Sequence, residues 1–160
     1  MGHVLGYGTI WTDLNLLKGR GGSDPHFSGT QAVLAFNRSG GHGYSAGLKV
    51  PVENCVGFPP GDCGAGTQDS HWRELVFANE LMTGFINAGS NPLSVVSTAS
   101  MGDLGYAVNY AGSDPYTVIN PVAAVRARPR PTRALRDDIL RISVIEVDAT
   151  GRIVGVHPPR

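Results

Sequence analysis

Lysine is almost missing from this chain: only Lys18 and Lys49 stand among its 13 basic residues, so arginine carries most of the positive charge. The 13 acidic residues cancel the basic ones, and charged residues make up only 16% of the sequence. Without a net positive charge, the chain has no overall field to recruit nucleic acid or an anionic membrane. No run of about 18 apolar residues is present, which excludes a transmembrane helix in this sequence.

A signal peptide is also missing from the start of the sequence. Met1 leads directly into Gly2 and His3, without the basic start and the apolar stretch that secretory signals carry. Two interpretations remain: either the protein is cytosolic, or its natural N-terminus lies upstream of Met1.

Cysteine is scarce, and the two that occur, Cys55 and Cys63, enclose a short loop turned by Pro59, Pro60 and Gly61. The spacing is too long for a zinc-binding C-x2-4-C pair, so it favours a local disulfide, with two inert thiols as the alternative. A disulfide would favour an extracellular setting.

Glycine and proline, in contrast, are abundant, with 22 and 11 residues, and this composition predicts many turns. We expect a short helix capped by Ser28, loops over 38–49, an extended piece at 50–54, and a helix from Ser94 that Gly105 terminates. The resulting fold class is α+β with much irregular chain.

The composition changes after Tyr116. Residues 119–137 hold arginine and proline (Arg126, Arg128, Arg130, Arg133 and Arg136) and are typical of a stiff, solvated linker. Residues 138–160 read as a short β tail, a hairpin around the turn from Asp148 to Gly151 that should pack on other structure.

Histidine provides the candidate chemistry, because neutral imidazoles bind zinc and leave it a strong Lewis acid. The five histidines are His3, His26, His42, His71 and His157. The stretch from His3 to Gly6 has the form of the second half of a zinc helix, in which a glycine three residues after the histidine ends the helix.

Three blocks in order resemble the leishmanolysin family of zinc metallopeptidases, which are metzincins: MGHVLGYGTIW, SHWRE…NELMTG and LSVVSTASMGDLGYAVNY. Residues 1–118 carry the resemblance and would be the C-terminal part of a peptidase domain. It implies a metzincin-like lobe with the end of a zinc helix, a long Gly-rich insertion, a Met-turn and a closing helix. It also implies Zn²⁺ as cofactor, a polypeptide substrate, and an extracellular or cell-surface location.

The resemblance assigns roles to individual residues. His3 and His71 match the second and third zinc ligands, and Met82, eleven residues after His71, matches the methionine of the Met-turn. His26 and His42 lie in predicted loops and His157 in the tail, so none is expected to bind zinc. Glu74 and Glu80 are expected to fix the Met-turn through hydrogen bonds, and the carboxylate of Asp69, which with Ser70 precedes His71, to orient the imidazole.

One departure from the family limits the functional prediction. The first zinc histidine and the catalytic glutamate would precede Met1 and are not in this sequence. We therefore expect a zinc metalloendopeptidase, hydrolysing peptide bonds by a zinc-bound water, of which this chain is an inactive part that pairs with a missing N-terminal part of the same domain.

Two alternatives stay open. The chain could be a non-catalytic, degenerate peptidase module that binds protein partners, or a Gly-rich secreted domain whose His71 block is coincidental. A half-domain should expose apolar surface from Val4, Leu5 and Trp72 and aggregate, whereas an evolved module should be monodisperse.

Overall fold

The computed structural model describes residues 2–59, 61–118, 133–135 and 143–158. Its α-helices are α1 (Thr30–Phe36), α2 (His42–Ser45), α3 (Glu74–Phe77) and α4 (Val95–Asp103). Short 3-10 helices cover Gly2–Leu5 and Tyr110–Gly112, and a π-helix covers Asn37–Gly41. The strands are β1 (Leu17–Lys18), β2 (His26–Phe27), β3 (Val50–Pro51), β4 (Phe85–Ile86), β5 (Arg133–Ala134), β6 (Val144–Val147) and β7 (Ile153–His157). The mixture of helices and strands confirms the α+β expectation.

Three small antiparallel sheets hold the strands. One has the order β1-β2-β3, with Phe27 facing Leu17 on one side and Val50 on the other. The others are the pairs β4-β5 and β6-β7. The extended piece expected at 50–54 is thus present in shortened form, as β3. Strands this short contribute little stability by themselves, so the side-chain core must supply most of it.

The core is an aromatic cluster centred on two tryptophans. The rings of Trp11 and Trp72 stack with centroids 5.1 Å apart, and Tyr7, Phe27 and Phe77 pack around them. All five side chains are almost completely buried. The expectation that Trp72 would be exposed is therefore wrong: its indole N–H also has a buried partner, the Ser97 hydroxyl at 2.8 Å. Val4 and Leu5, as expected, are 80% and 49% exposed.

Helix α1 packs against α4, and a side chain of α4 caps it. The Asp103 carboxylate accepts the Gln31 and Ala32 backbone N–H groups, each at 2.9 Å, and satisfies two of the free donors of the first turn. The predicted cap by Ser28 is wrong: the N-cap residue is Gly29, and the Ser28 hydroxyl donates to the Leu16 carbonyl.

Helix α4 begins and ends where the sequence predicts. The Ser94 hydroxyl accepts the Ser97 N–H at the N-terminus, and Gly105 follows the C-terminus with a φ of +98°. That left-handed conformation is the one glycine adopts most easily at a helix end.

The segment 38–49 is helical over its first part, contrary to the predicted loop. The chain continues from α1 through the π-helix into α2, with a kink at Gly40, whose φ is +99°. Gly41 sits against the Phe36 ring, and a Cβ there would lie 2.4 Å from it. Glycine here permits close packing of a kinked helix, a use that composition alone cannot distinguish from a loop.

The C-terminal hairpin forms as predicted. Strands β6 and β7 pair antiparallel, and the Asp148 carboxylate closes the turn by accepting the N–H groups of Thr150 and Arg152. Its apolar side chains stay more than half exposed, so in the described part of the chain the expected packing onto other structure is not seen: Ile145, Val147, Ile153, Val154 and Val156. Within the predicted linker, residues 119–132 and Arg136 lie outside the described residues, whereas Arg133–Ala134 form β5.

Candidate metal centre

His3 lies on the first 3-10 helix, and the turn that follows fixes its ring. The chain reverses at Gly6 and Gly8, with φ of +99° and +71°, so that the Tyr7 carbonyl faces the Nδ1 atom of His3 at 2.7 Å. Gly8 packs so closely on the chain before His71 that a Cβ would lie 2.1 Å from the Ser70 carbonyl oxygen. Only glycine suits this contact, which joins the first block to the second.

His71 is buried, with 1% of its surface exposed. Its Nδ1 atom faces the Thr67 carbonyl oxygen at 3.1 Å and the Ser70 hydroxyl at 3.2 Å. Ser70, rather than the expected Asp69, is therefore the neighbour whose side chain contacts this ring. Asp69 has another role, since its carboxylate accepts the Gly21 N–H at 3.0 Å.

The two imidazoles meet although they lie 68 positions apart in the sequence. The Nε2 atoms of His3 and His71 lie 3.0 Å apart, and the ring centroids are 4.6 Å apart. Because a carbonyl oxygen can only accept, each Nδ1 is the donor in its contact with the carbonyl, and the two Nε2 atoms face each other. Two facing lone pairs repel each other unless a proton or a cation lies between them. A separation of 3.0 Å suits either a proton shared by the two Nε2 atoms or a cation bound by both.

Met82 lies beside these rings, at the position that the sequence predicts for the Met-turn. Its carbonyl oxygen accepts the Trp72 N–H at 3.0 Å and faces the Tyr7 hydroxyl at 3.4 Å. Its methyl group packs under the first helix, where a Cβ on Gly2 would come within 2.8 Å of it. Met82 thus packs against the helix that carries His3 and lines the same cavity as both imidazoles.

Glu80 anchors this turn. Its carboxylate is fully buried and accepts four hydrogen bonds: the Met82 N–H at 2.6 Å, the Ser94 N–H at 2.9 Å, the Ser94 hydroxyl at 2.7 Å and the Ser97 hydroxyl at 2.6 Å. Burial raises the pKa of Glu80 above its ordinary value, while these hydrogen bonds oppose the shift. The expected role of Glu80 in the turn is confirmed. The Glu74 carboxylate binds the chain beyond this turn, where it accepts a side-chain N–H of Asn87, the residue after β4, at 2.9 Å.

Tyr7 connects His3 with the turn at Met82, and no feature of the sequence predicted this role. Its carbonyl holds His3, its ring packs in the aromatic core, and its hydroxyl reaches the Met-turn. Burial, together with the negative charge of Glu80, raises the pKa of the Tyr7 phenol well above its ordinary value. The phenol therefore stays protonated and keeps its donor.

Tyr106 ties the third block to the first. Its hydroxyl donates to the Leu5 carbonyl at 2.9 Å, at the end of the first 3-10 helix. Together with Asp103, which caps α1, this contact gives a structural reason for two residues of the Asp-Leu-Gly-Tyr sequence.

A cavity of about 510 Å³ opens beside the histidines. Its wall is mostly apolar and includes Leu81, Leu93, Met101, Val108 and Leu135, with Ser97, Thr98 and Asn109 as polar members. No aspartate or glutamate lines it among the described residues. The cavity therefore suits an apolar side chain, and among the described residues no carboxylate lines it that could act as a general base.

The other histidines lie elsewhere. His26 is in strand β2 and His42 is the first residue of α2, so the prediction of loops for both is wrong. His157, on β7, faces Glu146 at 3.2 Å and is exposed. None of the three lines the cavity.

Cys55 and Cys63 form the predicted disulfide, with Cα atoms 5.5 Å apart. Glu53 lies next to them, so the three residues resemble a metal-binding group. Their donors do not fit a metal, because disulfide sulfurs are not thiolates. The Glu53 carboxylate instead accepts the N–H groups of Asn54, Cys55 and Glu74. Elsewhere in the described ranges, no third His, Cys, Asp or Glu joins the pair of imidazoles.

Comparisons with known proteins add no relative. No family model, no curated protein and no solved structure matches the chain. The described residues contain no helix with the length and apolar character needed to cross a bilayer. What the site can do must be argued from its own geometry.

Proposed function

We propose that this chain is part of a zinc-dependent metalloendopeptidase, of the leishmanolysin-like type, and contributes His3 and His71 as two zinc ligands and Met82 as the Met-turn. The single observation that carries the proposal is the 3.0 Å separation of the His3 and His71 Nε2 atoms. The chain contains neither the first histidine nor the catalytic glutamate of the motif, so both would be supplied by residues before Met1.

The residues present fit a zinc ion. Zinc–nitrogen bonds are about 2.0–2.1 Å long, so two nitrogens on one ion lie no more than about 4 Å apart, and this pair is within that limit. The contacts of each Nδ1 with a carbonyl oxygen fix the tautomer that leaves Nε2 to the metal, as in most zinc sites. When bound, zinc would supply a Lewis acid that activates water and polarises the scissile carbonyl.

The remaining residues hold the ligands and receive the substrate. Tyr7 and Thr67 orient the imidazoles through their carbonyl groups, and Glu80 fixes the turn on which Met82 lies. The apolar cavity would take a side chain of an extended polypeptide substrate. The disulfide is compatible with an oxidising compartment, and we propose an extracellular or cell-surface location.

Zinc titration of the purified chain tests this proposal. At pH 7.5 we expect about one equivalent of Zn²⁺ to bind by calorimetry, and His3→Gln and His71→Gln each to lose that binding, since one imidazole is too few to hold the ion. His42→Gln is the matched control, because His42 is exposed and remote from the cavity. Equal zinc binding by His71→Gln and His42→Gln would refute the site.

Proteolysis tests the catalytic part of the proposal separately. The chain itself should not hydrolyse casein, because it carries no catalytic glutamate. If the reading frame upstream of Met1 encodes His-Glu, the extended protein should cleave casein and lose this activity in the presence of a chelator. An extended protein that binds zinc but leaves casein intact would contradict the peptidase proposal.

A second candidate is a non-catalytic peptidase-like module that binds protein partners. The exposure of Val4 and Leu5 beside His3 favours an apolar contact at this surface, whether with the missing part of the domain or with another protein. Sedimentation velocity distinguishes an independent module from a part of a larger domain. A monodisperse chain supports the module, whereas concentration-dependent aggregation supports a part of a larger domain.

A further inference from the structure

The segment from Arg133 to Leu135 returns to the candidate metal centre. Strand β5 pairs antiparallel with β4, which begins three residues after Met82. The Leu135 N–H donates to the Gly84 carbonyl at 2.8 Å, and the Leu135 carbonyl accepts the Thr67 hydroxyl at 2.6 Å. Both main-chain polar groups of Leu135 are thus bound to residues that adjoin the His71 ring or the Met-turn.

Leu135 is also part of the cavity wall. It is half-buried and lines the same space as His3, His71 and Met82. The segment therefore brings two things to the site at once, an extended backbone paired to a strand edge and an apolar side chain in the cavity wall.

A bound peptide would need the same two features, an extended backbone paired to a strand edge and an apolar side chain in the cavity. Peptides are commonly bound by adding a strand to an exposed sheet edge, with main-chain hydrogen bonds giving affinity and pockets receiving the side chains. We infer that residues 133–135 occupy the position of an extended peptide ligand, so that the chain's own C-terminal segment competes with polypeptide substrate for the cleft. This inference rests on the proposed peptidase function for its meaning, but the competition itself needs no zinc.

Peptide binding by Leu135→Gly tests the inference. The probe is the synthetic peptide acetyl-Ala-Ala-Leu-Ala-Ala-amide, titrated calorimetrically into the full chain in EDTA. We expect Leu135→Gly to bind it about tenfold more tightly than the wild type, since half of a leucine's burial free energy corresponds to about one factor of ten. Ile145→Gly is the matched control, because Ile145 is 55% exposed on the hairpin. No gain in Leu135→Gly, or an equal gain in Ile145→Gly, would overturn the inference.

Hydrogen exchange gives a second measurement that needs no variant. In the wild type the Leu135 amide should be protected by its bond to Gly84, and saturating peptide should abolish that protection by displacing the segment. A peptide that binds while the Leu135 amide stays protected would show that the segment is a fixed wall. Because both experiments are done in EDTA, their failure leaves the zinc proposal intact, and failure of the zinc titration leaves this competition intact.

Discussion

Replacing Glu80 by glutamine gives a sharp test of how the turn at Met82 is held. The Glu80 carboxylate accepts one backbone N–H on each oxygen, that of Met82 on Oε2 and that of Ser94 on Oε1. An amide has a single accepting oxygen. In either orientation of the glutamine side chain, one backbone N–H therefore faces an NH2 group and loses its acceptor.

The expected cost follows from that lost acceptor. An unsatisfied buried donor costs about 1–3 kcal/mol, so we expect Glu80→Gln to lower the free energy of unfolding by about 2 kcal/mol. At this chain length that corresponds to a fall in melting temperature of roughly 6–8 °C. Urea denaturation followed by tryptophan fluorescence measures the loss, because Trp11 and Trp72 lie in the core next to the turn.

Glu53→Gln is the matched control. Glu53 is equally buried, and its carboxylate also accepts backbone N–H groups on both oxygens, from Cys55 and Glu74. Both variants should lose similar stability. Only Glu80→Gln should weaken zinc binding, by about tenfold, the lower end of what outer contacts of metal sites contribute. Wild-type stability in Glu80→Gln, or equal zinc loss in the two variants, would refute the reasoning.

Three further predictions concern the disulfide, the pH dependence and the first turn. Reducing Cys55–Cys63, which closes a loop with a sequence separation of 8, should cost about 2.6 kcal/mol of unfolding free energy by loop entropy; a loss below about 0.5 kcal/mol in urea denaturation would contradict this estimate. Burial raises the pKa of both Glu53 and Glu80 above the ordinary 4.5, so the folded state favours their protonated forms. The stability that these two groups contribute is complete below pH 4.5 and decreases as the pH rises through their folded pKa values. In the double variant Glu53→Gln/Glu80→Gln, the free energy of unfolding should decrease less over this range. An unchanged pH profile in urea denaturation would contradict this expectation. Gly8→Ala should weaken zinc binding because its Cβ would meet the Ser70 carbonyl, whereas Gly105→Ala, which also has a positive φ (+98° against +71° at Gly8) but open space around it, should not; equal zinc titrations of the two variants would refute this.

Local signals in the sequence predicted local structure well. The cap by Ser94, the end of α4 before Gly105, the hairpin turn at Asp148 and the disulfide each depend on residues close together in the chain. Side-chain chemistry and backbone preference decide such features within a few positions, so a sequence pattern is sufficient to find them.

Features that depend on distant residues were not predictable. The cap of α1 is Asp103, which meets the Gln31 N–H from 72 positions away, and Ser28 was the only candidate in the adjoining sequence. Ser97 is buried in α4 although polar residues usually mark an exposed face, because its hydroxyl donates to the Glu80 carboxylate, 17 positions away in the sequence. Without the fold, those partners cannot be known.

The orientation of the two imidazoles depends partly on residue types that the sequence displays and partly on backbone conformation that it does not. His3 and His71 stood out because histidine side chains carry distinctive chemistry, whereas Tyr7 and Thr67 act through carbonyl groups that every residue possesses. Each of these carbonyls lies four positions from the histidine that it orients, so a local turn sets each ring. A side-chain substitution at Tyr7 or Thr67 leaves its carbonyl in place. The arrangement of the site therefore depends mainly on backbone conformation, and the glycines that permit its close turns matter as much as the ligands themselves.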